Sequence, residues 1–226
     1  QHAYVRRQRQ MCIRDRYKKQ ELPNYEVFDE KRYFQPGNSP GIFEVNGFRV
    51  GLSVCEDIWH QKVITQLHDK GADLVLNINA SPFHLNKIQE RKNLISGHAS
   101  KFSMPIVYAN QVGGQDELVF DGTSMAMDSE GKQVLQLAKF EEDQAVVSFL
   151  SQHDGNILSD KNEVIPEDSE LEEVYRALVL GAKDYINKNK FPGVLIGSSG
   201  CIDSALTAVI AADAIGSENV RSFMMH

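Results

Sequence analysis

The sequence predicts an α/β protein in two successive units: a layered domain ending near residue 150 and, beyond a polar linker, the start of a parallel α/β unit. Three features carry that expectation. From residue 48 onward, stretches of strand-like alternation and helix-like spacing follow one another. The segment 151–168, SQHDGNILSDKNEVIPED, is polar, holds Gly and Pro, and lacks sustained periodicity, so it reads as a linker. After it, a helical pattern leads into GVLIG, a Ser- and Gly-rich loop, and a second helical pattern. With 226 residues and 42% hydrophobic content, the chain can build one good core or parts of two.

Taken in order, residues 1–16 stand apart. QHAYVRRQRQMCIRDR is basic and without helical or strand periodicity, and it reads as a basic arm, a disordered terminus or sequence foreign to the gene. The string MCIRDR favours the last, and 1–16 is set aside from the fold. Residues 17–37 mix aromatics, charges, Pro and Gly at the density of an ordered loop. Phe48, Val50, Leu52 and Val54 alternate as in a half-buried strand, which ends abruptly in Cys55, Glu56 and Asp57. A helix over 61–70 stops at Gly71, a strand covers 74–79, a helix 87–102 and a strand 105–110. A Gly- and Asp-rich loop follows, then strands near 124–127, 133–137 and 145–150. Ser169 and Glu172 form a capping box for a helix to about residue 190, with Leu171, Val174, Tyr175, Leu178, Ala182 and Ile186 as its apolar stripe. A strand over 193–197, a polar loop over 198–204, a helix over 205–215 and a strand from Val220 complete the chain, and a parallel sheet that stops there is expected to be truncated.

Composition narrows the function classes. No apolar run approaches membrane-spanning length, and nothing resembles a secretory signal. Cys12, Cys55 and Cys201 are odd in number and far apart, without zinc spacing, which argues against disulfides and structural zinc and for a reducing, cytoplasmic setting. The net charge of −7 includes five Arg and only one Asp in the first sixteen residues, so the body is more acidic than the total suggests. An acidic body argues against nucleic acid as a partner.

The candidate chemistry centres on Cys55, a lone thiol at a strand end, to be read either as a nucleophile or as a buried structural cysteine. Glu56 and Asp57 should raise its pKa unless a cation lies close. That cation is either a histidine, among His60, His84 and His98, or a lysine from the stretch before the strand. YKKQELPNY followed by VGLSVCEDIW resembles the nitrilase, or carbon-nitrogen hydrolase, superfamily. The resemblance implies a nitrilase-like α-β-β-α layered domain, incomplete here, over 17–150. It also makes Lys19 and Cys55 catalytic, and gives Tyr25, Glu56, Trp59, Ser81 and Lys87 roles in binding glutamine. Each has a plainer alternative: Tyr25 as packing, Ser81 as a turn cap, Lys87 as a solvated first-turn residue. The implied chemistry is attack of Cys55 on the glutamine amide, loss of ammonia, and hydrolysis of the thioester by a glutamate-activated water, with Lys19 supporting the tetrahedral intermediate. The family's general base lies upstream of its lysine, where this sequence has no Glu; Glu30 follows Lys19 and fits an outer, supporting acid. The sequence as it stands is therefore expected not to turn over glutamine.

The second motif, Gly197-Ser198-Ser199-Gly200-Cys201-Ile202-Asp203-Ser204, resembles the SGGxDS loop of the ATP pyrophosphatases and the start of their Rossmann-like parallel domain, over 169–226. Backbone N–H groups and hydroxyls at a helix N-terminus make an anion nest. The resemblance implies ATP binding by this loop, with Ser199 and Ser204 on phosphates and Asp203 placing Mg²⁺ or the loop itself; the alternative is an ordinary strand-to-helix turn. Cys201 stands where the pattern has Gly, and a φ > 0 requirement there would strain the loop.

The order of the two units, with LPNYEVFDEKRYF and NQVGGQDELVFDGTS, resembles the glutamine-dependent NAD synthetase family. That resemblance implies glutamine, ATP and nicotinic acid adenine dinucleotide as substrates, Mg²⁺ as cofactor, a tunnel for ammonia and a homo-oligomer. A free-standing amidase, or a catalytically incomplete binding or assembly fragment, are the alternative readings.

Overall fold

The computed structural model describes residues 16–149, 157–159 and 168–224. The expectation for residues 1–16 thus lies outside the described residues except at Arg16, and most of the expected linker lies outside them too.

The first unit is built on a six-stranded mixed sheet. Its strands are β1 (Gly41–Val45), β2 (Phe48–Val54), β3 (Leu74–Asn79), β4 (Ile106–Asn110), β7 (Met125–Met127) and β8 (Gln133–Gln136), in spatial order β1-β2-β3-β4-β7-β8. β2, β3 and β4 are parallel, while β1 and β7 close the set antiparallel. Parallel neighbours need crossover connections, and two helices supply them: α2 (Gln61–Asp69) between β2 and β3, and α3 (Lys87–Phe102) between β3 and β4. The helix spacing read from the sequence holds, since Val63, Ile64 and Leu67 of α2 are fully buried. Ile64 and Leu67, with Ile95 and Ala99 of α3 and Val75, Ile106, Tyr108, Met125 and Met127 of the sheet, belong to the main core. The other face is closed more lightly, by Ala126 and Leu135 with Val107, Val134, Leu137, Ala145 and Val147.

The structure departs from the sequence reading in several places. β2 is not half-buried: Val50, Gly51 and Ser53 are all buried, because a strand inside a mixed sheet is covered on both faces. The Gly- and Asp-rich stretch after β4 is not a loop but an antiparallel hairpin, β5 (Val112–Gln115) with β6 (Leu118–Asp121). The segment 17–37 is largely irregular as expected, with one short helix, α1 (Glu30–Tyr33). The linker region carries β10 (Ile157–Ser159), paired antiparallel with β9 (Val147–Phe149).

The second unit consists of α4 (Glu170–Lys188), β11 (Val194–Ser198), α5 (Ile202–Ile215) and β12 (Val220–Met224), with β11 and β12 parallel. Ser169 caps α4 by accepting from the Glu172 N–H. The expected apolar stripe is only partly buried. Leu171 and Leu178 are 83% and 49% exposed, and the helix instead turns Ala177, Gly181 and Asp184 inward. The reason is its neighbour, the β5–β6 hairpin. A Cβ on Gly114 would lie 3.1 Å from the Cα of Gly181, so the close approach of helix and hairpin depends on bare backbone at both positions. Polar contacts then fasten the two units: the Gly114 N–H donates to Asp184 at 2.7 Å, and Lys188 donates to the Gly114 carbonyl. Nearby, buried Lys139 lies 2.8 Å from Glu173, and Arg176 pairs with Asp168 at 2.9 Å while its guanidinium covers Phe140.

Candidate active site

Cys55 sits where β2 breaks into a 3₁₀ turn, Cys55–Trp59. Its φ of 48° is uncommon for a residue with a Cβ, a strained geometry of the kind that clusters at reactive positions. The turn is held from several sides. Asp57, fully buried, accepts from the N–H of Val54 (3.0 Å), the Tyr17 hydroxyl (2.7 Å), and the N–H groups of Gln20 (2.9 Å) and Glu21 (2.8 Å). The Ile58 carbonyl accepts from His98 Nε2 of α3 at 2.9 Å, and burial lowers the His98 pKa, keeping the ring neutral.

Lys19 comes to the same place. A cavity of about 600 Å³ is lined by Lys19, Glu30, Cys55, Asn79 and Ala80, with Leu22, Phe28 and Phe34 as apolar wall. Lys19 Nζ lies 2.7 Å from both oxygens of Glu30, a fully paired ammonium inside the cavity. Burial pushes the Cys55 thiol above its ordinary range; Lys19 and the Ala80 backbone pull the other way, and Glu56 and Glu30 add to the rise. Of the two acids expected to quiet the thiol, Glu56 does so, whereas the Asp57 carboxylate is turned onto four donors. Of the two cations considered, lysine is the one that lines this cavity. His98 supports the turn from behind, and His60 points to Glu56.

The remaining residues expected around glutamine divide into three places. Tyr25 donates to Glu56 at 2.8 Å, and His60 approaches the other Glu56 oxygen at 3.3 Å. These three line a second cleft of about 670 Å³ that shares Leu22, Phe34 and Gln35 with the first. Burial, and then Glu56, raise the Tyr25 hydroxyl pKa well above its usual value, so it remains a donor. Trp59 and Lys87 meet each other, the ammonium 4.1 Å from the ring centroid, and Lys87 also reaches Glu90 at 3.1 Å. Ser81 is buried behind the cavity wall, its N–H donating to Asn110 at 3.0 Å.

Sequence reasoning passed over the support for that wall. Arg91, with no exposed surface, holds both oxygens of equally buried Asp121 at 2.8 Å and donates to the carbonyls of Ser81 and Pro82 at 3.1 Å. It thereby fixes the segment that carries Ala80 past Cys55. The available signal was an arginine on the inner face of a helix and an aspartate ending an apolar strand.

At the second motif β11 runs into Ser199 and Gly200, and α5 begins at Ile202, so Asp203 and Ser204 lie in its first turn rather than in a loop. The left-handed residue is Gly200, with φ of 80°, and not Cys201, whose φ is −92°. The strain expected at Cys201 is therefore absent, because an extended conformation accepts any side chain. Cys201 is exposed and makes no side-chain cap. Ser204 Oγ donates to the Cys201 carbonyl at 2.9 Å and lies 3.5 Å from Ser199 Oγ. The outward N–H groups and two hydroxyls have the chemistry of a phosphate cradle. Among the described residues no three His, Cys, Asp or Glu side chains gather to hold a metal, and no helix is long and apolar enough to cross a membrane.

Comparison with known proteins finds two families along the chain. The carbon-nitrogen hydrolase family matches residues 1–152, and the NAD synthase family matches residues 174–226. The chain is 41% identical over 92% of its length to the glutamine-dependent NAD(+) synthetase of Acinetobacter baylyi, and 40% identical over 92% to that of Aquifex aeolicus. It spans about two fifths of those relatives, 38% and 42% of their lengths. Among solved structures, glutamine-dependent NAD+ synthetase from Acinetobacter baumannii, in complex with ADP, superposes with a TM-score of 0.87 at 44% identity. That match covers 93% of this chain and 39% of the other. A glutamine-dependent NAD(+) synthetase from Cytophaga hutchinsonii gives 0.67 at 26% identity, covering 87% and 33%. The chain therefore belongs to the carbon-nitrogen hydrolase family, with a segment of the NAD synthase family following that domain in the same polypeptide.

Proposed function

We propose that the chain carries the Cys55 nucleophile and Lys19 of the glutamine-hydrolysing site, together with the ATP-binding loop, of a cytoplasmic glutamine-dependent NAD synthetase, and that by itself it does not turn over glutamine. The observation that carries the reading is the shared cavity of Cys55 and Lys19, with the cysteine at positive φ and the lysine paired to Glu30.

In this reading the Cys55 thiolate attacks the side-chain amide carbon of glutamine, and the bond to nitrogen breaks with proton transfer to release ammonia. Water then cleaves the thioester to glutamate and restores the thiol. Lys19 faces the oxyanion that forms in both steps, and Glu30 keeps its ammonium oriented. The raised thiol pKa means that Cys55 loses its proton only as substrate arrives or a base assists. Tyr25 and Glu56, bonded to each other beside the cavity, suit the polar end of an amino acid, while Trp59, Ser81 and Lys87, which the resemblance also assigns to glutamine, lie outside the lining of both clefts.

Ammonia would then serve the second unit, where ATP activates the carboxylate of nicotinic acid adenine dinucleotide before amidation to NAD. Gly197, Ser198, Ser199, Gly200, Cys201, Ile202, Asp203 and Ser204 would cradle the phosphates at the start of α5. Asp203, in the first turn of α5, would help place Mg²⁺ or the loop itself. When bound, the ion would neutralise phosphate charge. A homo-oligomer is part of the same reading.

The test is labelling with a glutamine-mimicking electrophile, read by intact mass and peptide mapping. A glutamyl adduct confined to Cys55, blocked by excess glutamine and lost in Cys55→Ala, is the expected result. Labelling spread equally over Cys12, Cys55 and Cys201, or unaffected by glutamine, would count against a formed site.

A further inference from the structure

The carboxylate of Asp57 touches no part of the cavity lined by Cys55 and Lys19, yet it is bonded to the chain on either side of that pair. Its side chain is fully buried, and a buried carboxylate is costly unless its lone pairs are met. Four donors meet them. Oδ1 accepts from the N–H groups of Gln20 and Glu21, and Oδ2 from the N–H of Val54 and the hydroxyl of Tyr17. Val54 is the residue immediately before Cys55, and Gln20 the residue immediately after Lys19. One side chain thus joins two backbone segments more than thirty residues apart at points adjacent to the two reactive groups.

We propose that Asp57 is a positioning residue that fixes Lys19 opposite the Cys55 thiol by lashing residues 17–21 to the cysteine turn. The proposal rests on the Cys55–Lys19 reading above. Other contacts at Lys19 do not supply this registration alone. Its carbonyl accepts from the Gly37 N–H at 2.8 Å, and its ammonium is held by Glu30, but both of those partners belong to the same irregular stretch and could move with it. Among the polar contacts described for residues 17–21, the Asp57 bonds are the ones that reach the turn itself. Aspartate suits the role better than its amide, since an asparagine would set an NH₂ donor against two of the four donors.

The groups facing Cys55 are Lys19, Glu30, Glu56, Tyr25 and Tyr108, and those around the Asp57 carboxylate are Tyr17 and Glu21. This makes the sign of the effect informative. If Asp57 acts through Lys19, its loss withdraws a cation and raises the thiol pKa; if its own charge acts on the thiol, its loss lowers it. The full chain would be alkylated with iodoacetamide across pH 6–10, and modification followed on the Cys55 peptide. Lys19→Met should raise the apparent thiol pKa by about one unit, the low end for loss of a nearby opposite charge. Asp57→Asn should raise it by a similar amount, and the double variant by no more than either alone. Tyr17→Phe removes one donor of the four and should shift the titration less, in the same direction; it decides the matter if Asp57→Asn does not fold. A lower melting temperature with an unchanged or lowered thiol pKa in Asp57→Asn, or in Tyr17→Phe where it stands in, would overturn the positioning role alone. No shift in Lys19→Met would overturn the Cys55–Lys19 reading and the proposal with it.

Discussion

Both units place a cysteine just after a parallel strand, and the two cysteines differ in nearly everything else. Cys55 follows β2 at φ 48° and is largely enclosed, in a turn pinned by Asp57 and His98. Cys201 follows β11 at φ −92°, exposed, at the open start of a helix. The same strand-to-turn pattern thus yields a strained, supported thiol in one unit and an unstrained surface thiol in the other. What separates them is the amount of folded protein around each. β2 lies inside a six-stranded sheet with helices on it, whereas β11 pairs only with β12 among the described residues, and Leu195 remains 71% exposed. Strain persists only where surrounding contacts overdetermine it.

The contrast is broken most severely at the wall of the first site. Arg91→Met leaves Asp121 as an unpaired buried charge and frees the carbonyls of Ser81 and Pro82, and should cost about 3–5 kcal/mol in urea denaturation. A loss below 1 kcal/mol would mean that the pair is not the buried anchor described.

Next is the join between the units. Asp184→Ala removes the acceptor of the Gly114 N–H and a partner of Lys188, and should cost about 1–2 kcal/mol, with faster hydrogen exchange at Gly114 than at β3 amides. Acid should act on the first unit through His98. Burial holds its folded pKa below the ordinary histidine value of about 6.5, so the unfolded chain takes up the proton first and stability falls as pH drops below about 6.5 until the folded ring titrates. The slope from one such group is at most about 1.4 kcal/mol per pH unit. Melting temperatures between pH 7.5 and 5.5 should fall less in His98→Gln than in the parent.

The smallest effects belong to the second motif. Gly200→Ala forces a Cβ into the left-handed region and should cost about 1 kcal/mol, together with weaker nucleotide binding by calorimetry. Cys201→Gly should change stability by only a few tenths of a kcal/mol and leave nucleotide affinity unaltered, since Cys201 already has an ordinary backbone. A marked gain in affinity would show that the side chain obstructs the cradle.

Much of this was legible in the residues. The periods of α2, α3, β3 and β4 and the Ser169 cap depend on local spacing and formed within a residue or two of expectation, while the helix of the second motif begins at Ile202, three residues before the expected start. The β5–β6 hairpin was not legible, because NQVGGQDELVF lacks the apolar alternation of a buried strand; its pairing is completed by Phe83, which donates to Val119, and by α4 packed against its glycines. The exposed Leu171 and Leu178 were misjudged for a related reason: periodicity shows that a helix has an apolar stripe, not which neighbour it meets.

At the candidate site the sequence by itself determined the inventory: one cysteine at a strand end, two adjacent acids, a lysine well upstream, and a Ser- and Gly-rich turn before a helix. Only the tertiary structure decided how these groups are used. It set the two acids to different tasks, put the left-handed residue at Gly200 instead of Cys201, and brought Lys19, thirty-six positions away, into the cavity of Cys55. The physical reason is that residue type and spacing determine local backbone preference, whereas charge placement, burial and strain depend on contacts between distant segments, which form only when the chain closes on itself.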